Sequence, residues 1–174
     1  MEDDRTMAND TFGRQGTSEA PLKLEEFLPY RLNVLASLSS QALSRIYAER
    51  YGIGVPEWRV LVTLGEFEAM TGKEIGAHSH MHKTKVSRAV AELERRKLLT
   101  RQMNREDMRE SILSLTPAGR AIYKEVAPHA LDFARRLAGA IEPRDLAAFE
   151  RAVESLIERS RVLAAETSQS SNKK

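Results

Sequence analysis

Between Thr71 and Gly119 the spacing of apolar residues turns from helical to alternating and back to helical, an order that few folds accommodate in so short a stretch. Thr71, with Glu74 three residues on, has the form of a capping box and predicts a short helix to about His78. After a turn around Ser79 to Met81, another helix is expected from about Lys83 to Arg96. Its inner stripe is Val86, Ala89, Val90 and Leu93, which leaves Thr84, Lys85, Ser87, Arg88 and Ala91 largely outside. Leu98 to Met103 and Glu110 to Leu115 read as two strands joined by the polar loop Asn104 to Arg109, with Leu113 and Leu115 on one face. Thr116-Pro117 then caps a long helix to about Ile141, and Pro128 is where it would kink.

Upstream, Leu28, Leu32, Leu35, Leu38, Ala42, Leu43 and Ile46 predict an amphipathic helix from about Glu25 to Tyr51, closed by Gly52 and Gly54. Pro56 opens the next helix, to about Phe67; Trp58, Val60, Leu61, Val62, Leu64 and Phe67 cover most of its circumference, so it should be buried on several sides. Pro143 opens the last one. There Leu146, Phe149, Val153, Leu156, Ser160 and Leu163 alternate three and four apart, a seam that wants another helix. The chain is therefore expected to be mainly α with a small β-hairpin. Its long terminal helices carry more apolar stripe than the middle can cover, and a two-fold homodimer would bury it. Residues 1–23 and 167–174 are polar and aperiodic, and are expected to be disordered tails.

Total charge says little, with 27 basic and 25 acidic residues giving a net +2. The distribution says more: Lys83, Lys85, Arg88, Arg95, Arg96, Lys97, Arg101, Arg105 and Arg109 outnumber Glu92, Glu94, Glu106 and Asp107, as expected where a protein meets phosphate. The absence of cysteine excludes disulfides, thiolate metal sites and sensing by thiol oxidation. No stretch approaches the roughly 18 consecutive apolar residues of a spanning helix, and the N-terminal segment has no apolar run like that of a secretory signal. A cytoplasmic location without membrane partners is the expectation.

The run Lys73-Glu74-Ile75-Gly76, then Lys83-Thr84-Lys85-Val86-Ser87-Arg88-Ala89-Val90, then Leu93-Glu94-Arg95-Arg96-Lys97-Leu98-Leu99 resembles the helix-turn-helix of the MarR family. The Asp-x-Arg spacing of Asp107 and Arg109, and Leu113-Ser114-Leu115-Thr116-Pro117-Ala118-Gly119 after it, are similar to that family's wing and its exit, so the likeness extends over about Leu24 to Ala165. The turn His78-Ser79-His80-Met81-His82 departs from the leucine, glycine and aspartate more common there. The resemblance implies a winged helix-turn-helix head over 55–116, with dimerisation helices over 24–54 and 117–166. It further implies a repressor that binds a pseudo-palindromic operator on double-stranded DNA as a homodimer and is released by a small effector.

A helix of this size fits the major groove, which makes Lys85 and Arg88 the leading base or phosphate contacts, Thr84 and Ser87 shorter hydrogen-bonding groups, and Lys83 and Arg105 further cationic contacts. His82 is expected at the helix N-cap beside a phosphate. By resemblance Arg109 enters the minor groove, whose narrow form attracts arginine, while Asp107 orients it. The same resemblance places the effector among the first, second and fifth helices, near Tyr30, Arg31, Asn33, Ser37, Trp58, Arg59 and Phe133. Arg31 would meet a carboxylate and Trp58 a ring. The segments around Leu28 to Asn33 and Pro56 to Val60 look most like members that control aromatic-acid catabolism, some of which respond to coenzyme A thioesters.

Plainer readings stand beside these. The cations are also compatible with a solvated helix face, Asp107 and Arg109 with a surface ion pair, and Trp58 with a core position. Arg95, Arg96 and Lys97 sit at a helix C-terminus, where the dipole alone favours cations. The histidine trio invites a metal, but a turn between His78 and His82 breaks their common face and no cysteine assists, so no metal or other cofactor is expected. No phosphate loop, nucleophile elbow or metalloprotease helix points to catalysis. A non-catalytic dimeric interaction module and a non-specific DNA-binding protein are the alternatives.

Overall fold

The computed structural model describes residues 21–103 and 110–171, with side chains as far as 167. After a 3-10 turn at Leu24–Glu26 come α1 (Leu28–Tyr51), α2 (Val55–Phe67), β1 (Ala69–Thr71), α3 (Gly72–Ser79) and α4 (Lys83–Arg95). They are followed by β2 (Leu99–Met103), β3 (Ser111–Leu115), α5 (Pro117–Ala138) and α6 (Pro143–Ser171). The first helix starts later than expected because Pro29, whose ring would strike the carbonyl four residues upstream, must sit in the first turn. α5 runs without interruption through Pro128. α6 continues past Thr167 to Ser171, since neither glycine nor proline is there to stop it.

The chain divides inside α1, residues up to Ser39 forming one unit and those from Ser40 another. The core lies in the second. Val60, Leu61 and Leu64 of α2, Ile75 of α3, Ala89 and Leu93 of α4, and Val126 of α5 are all sealed from solvent. Tyr47 stacks on Trp58 with ring centroids 5.0 Å apart, and burial pushes its hydroxyl pKa up to about 12. α2 is thus buried on several sides, and its buried Thr63 hydroxyl donates to the Arg59 carbonyl at 2.8 Å. Phe67 is the exception: it is 44% exposed, in a T-shaped contact with His78 at 4.7 Å between centroids.

The sheet has three antiparallel strands in the order β1-β3-β2. The expected hairpin is β2 and β3, with Leu99 opposite Leu115 and Met103 opposite Ser111. β1 adds an edge strand that three residues of sequence gave no period to reveal, pairing Met70 with Leu113. α6 buries none of its described residues, and Phe149 and Leu163 of its seam are 45% and 46% exposed.

The start of α5 is fixed against the turn between α4 and β2 by a contact only glycine permits. A Cβ on Gly119 would lie 2.0 Å from the Leu98 carbonyl oxygen, while Thr116 Oγ1 accepts from the Gly119 N–H at 3.1 Å. Gly119→Ala must therefore push α5 off the sheet, and we expect a loss of about 2–3 kcal/mol, near the upper end for overpacking, in urea denaturation. A wild-type midpoint would show that the backbone relaxes freely there.

Candidate nucleic-acid interface

α3 and α4 are held at their ends by side chains that the sequence places one turn apart. Thr71 Oγ1 accepts from the Glu74 N–H at 3.2 Å, and Glu74 Oε2 accepts in return from the Thr71 N–H at 2.7 Å and the Thr71 hydroxyl at 2.9 Å. That is the expected capping box. The backbone bond from Thr71, then its hydroxyl, holds the Glu74 carboxyl below its ordinary range. α3 ends at His80, which adopts the left-handed conformation (φ 52°), and Met81 N–H closes the turn on the Gly76 carbonyl at 3.1 Å. His82 then caps α4, its Nδ1 accepting from the Thr84 N–H at 3.4 Å. The remaining histidine of the cluster, His78, lies 3.9 Å from the Glu66 carboxylate. No group of three or more potential ligands converges among the described residues.

α4 is sharply two-faced. Val86, Ala89, Val90 and Leu93 are buried, whereas His82, Lys83, Thr84, Lys85, Ser87 and Arg88 are exposed. Among the described residues no ion pair engages Lys83, Lys85 or Arg88. The cations at the other end of the helix are occupied. Arg95 pairs with Glu92 at 2.6 Å, and Arg101 of β2 grips Glu94 with two bonds of 3.0 and 2.9 Å, drawing the Glu94 carboxyl below its ordinary range. Arg96 donates to the backbone carbonyls of Tyr51 and Gly52. Sequence spacing gave no signal of the Arg96 and Arg101 partners, which are separated along the chain or lie on another element.

Arg105, Asp107 and Arg109, the expected wing contacts, lie outside the described residues. Of the expected effector residues, Tyr30, Arg31, Asn33 and Ser37 are exposed on α1 in the first unit. In the second unit Arg59 is exposed on α2, Phe133 is half-buried on α5, and Trp58 is in the core against Tyr47. No helix among the described residues is long and apolar enough to cross a membrane.

A helix-turn-helix, an exposed cationic face on its second helix and a following antiparallel hairpin define a winged helix-turn-helix. A MarR family model matches residues 51–110. The uncharacterized HTH-type transcriptional regulator YwoH of Bacillus subtilis is 30% identical over 58% of this chain and 73% of its own length. The organic hydroperoxide resistance transcriptional regulator of the same organism is 29% identical, over 61% of this chain and 71% of that protein. The solved structure of Bordetella bronchiseptica BpsR, whose DNA binding is regulated by 6-hydroxynicotinic acid, superposes with a TM-score of 0.61 at 21% identity, covering 72% of this chain and 98% of BpsR. The protein belongs to the MarR family of transcriptional regulators, which are DNA-binding and not enzymes.

The capping box makes a pH prediction. A carboxyl depressed in the folded state stabilises the fold above its unfolded pKa, and that contribution is lost as pH falls through the folded pKa. Glu74→Gln should therefore have a lower urea midpoint at neutral pH and a flatter decline across the acidic carboxylate range. Equal slopes in the two proteins would remove Glu74 from the acid response.

Proposed function

We propose that this regulator is a homodimeric repressor that covers a pseudo-palindromic operator and is released by a small acidic aromatic effector or its coenzyme A thioester. The observation that carries the DNA part is the α4 face, where Lys83, Lys85 and Arg88 are exposed and without a described carboxylate partner while the opposite face is buried. Lys85 and Arg88 serve as leading contacts in the major groove, Lys83, Thr84 and Ser87 support them, and His82 sits beside a phosphate. On the wing, Arg105 meets backbone, and Arg109, oriented by Asp107, enters the minor groove. The exposed seam of α6 supports a second copy as partner, which would set two recognition helices about 34–36 Å apart on adjacent turns of one duplex face.

The effector class rests on resemblance and on chemistry. Hydroperoxides act on regulators through thiolate oxidation, a route closed to a chain without cysteine. An acid acting without thiol chemistry is the reading taken instead; DNA binding of BpsR is regulated by 6-hydroxynicotinic acid. By resemblance the candidates to receive it are Tyr30, Arg31, Asn33 and Ser37 of the first unit and Arg59 and Phe133 of the second, with Arg31 for a carboxylate. By linkage, an effector lowers operator affinity only as far as it prefers a spacing that DNA does not.

The test is a titration with duplex from the protein's own upstream region and with an unrelated duplex, across a salt series. Preference of about a thousandfold and a steep salt slope are expected. Equal affinity for both would instead indicate non-specific binding. Arg88→Ala should cost about 1–3 kcal/mol where it reads a base, whereas a phosphate ligand such as Lys83 should weaken all duplexes alike and lower the slope by about one. Arg109→Ala should weaken the operator complex with the dimer intact; unchanged affinity in a gel-shift titration would exclude its wing role.

A further inference from the structure

Arg96 closes α4, yet among the described residues its guanidinium forms no ion pair with the carboxylates of its own helix. Nη1 donates to the Gly52 carbonyl at 3.1 Å and Nη2 to the Tyr51 carbonyl, across more than forty residues of sequence. Those carbonyls belong to the C-terminal end of α1, where acceptors lack helical donors and the dipole favours a cation. Gly52 holds that end in the left-handed conformation (φ 59°), and its N–H returns to the Ala48 carbonyl at 2.8 Å. Next to it, Arg50 pairs with Glu125 of α5. The end of α1 is therefore tied to α5 by Arg50 and to the recognition helix by Arg96.

We propose that Arg96 is a positioning residue for the DNA recognition of the proposed function: its fork suspends the C-terminal end of α4 from the end of α1, so that the recognition helix is held by α1 and, through Arg50, by α5. The inference rests on that function for its readout. A guanidinium fits because it is planar and rigid and presents two parallel donors, so both carbonyls are gripped in one orientation. Arg95, one residue earlier and paired within the helix, has no such reach.

The experiment uses the full chain, a duplex selected in vitro by the wild-type protein, and an unrelated duplex, with Arg96→Ala, Arg96→Gln and Arg96→Lys. Affinity is measured per folded protein, at a temperature where circular dichroism shows each variant folded. A positioning role predicts that Arg96→Ala binds the selected duplex at least tenfold more weakly, with affinity for the unrelated duplex and the salt slope unchanged. Arg96→Gln, an uncharged donor to one carbonyl, should recover part of the loss. If Arg96 were instead a phosphate ligand, both duplexes would weaken, the slope would fall by about one, and Arg96→Lys but not Arg96→Gln would rescue; that result overturns the proposal. A lower melting temperature with wild-type affinity per folded protein also overturns it, since the contact would then only stabilise. Should Arg96→Ala not fold, the Gln and Lys variants decide between the same outcomes. A wild-type chain that selects no duplex at all would overturn the DNA-binding reading itself, and this inference with it.

Discussion

Burial of one stripe of α4 against α2 and α3 is the constraint on which the rest depends. Val86, Ala89, Val90 and Leu93 are all in the core, and fully burying an aliphatic side chain of the valine or leucine kind contributes about 1.5–3 kcal/mol. With 3.6 residues per turn, fixing those four points the residues between them outward. Lys85 and Arg88 are therefore displayed by apolar packing that they do not themselves strengthen. The cationic face can be specialised for a partner without drawing on the core, and the core can be kept while the face changes.

Packing alone would leave α4 free to tilt about its buried stripe, and the polar contacts at its C-terminal end remove that freedom. Lys97 takes the left-handed conformation (φ 59°), at a cost of about 1–2 kcal/mol for a residue with a Cβ. It is held there because Leu98 N–H bonds to the Leu93 carbonyl at 2.9 Å and the Thr116 hydroxyl donates to the Lys97 carbonyl at 2.8 Å. The turn thus joins α4, the start of β2 and the cap of α5 at one point. Glu94 with Arg101 extends the junction along β2 toward the wing.

What was legible in the sequence follows from the range of each interaction. Thr71 with Glu74, Thr116 with Gly119, and the stripe of α4 are local in sequence and could be read from spacing alone. β1 is too short to show alternation, and Phe67 continues the apolar pattern of α2 but falls where the helix runs out of neighbours. Arg96 reads as an ordinary helix-end cation, and nothing near it in sequence names Tyr51 and Gly52 as its acceptors. Long-range polar contacts have no period. Within the site, the α4 face was visible because amphipathicity is periodic, whereas the division of its neighbouring arginines into paired and unpaired was not.

That division bears on how the protein can attract DNA at all. Nearly balanced charge, 27 basic against 25 acidic residues, leaves little net field to act beyond a Debye length of about 8–10 Å. Attraction must then come from local excess. Glu92 compensates Arg95 and Glu94 compensates Arg101, whereas among the described residues Lys83, Lys85 and Arg88 have no carboxylate partner. Those three cations lie where the helix begins, which is also the end whose backbone amides favour an anion. A duplex would be drawn toward that end first, and the same arrangement that consumes arginines in holding the helix thereby sharpens where it meets phosphate.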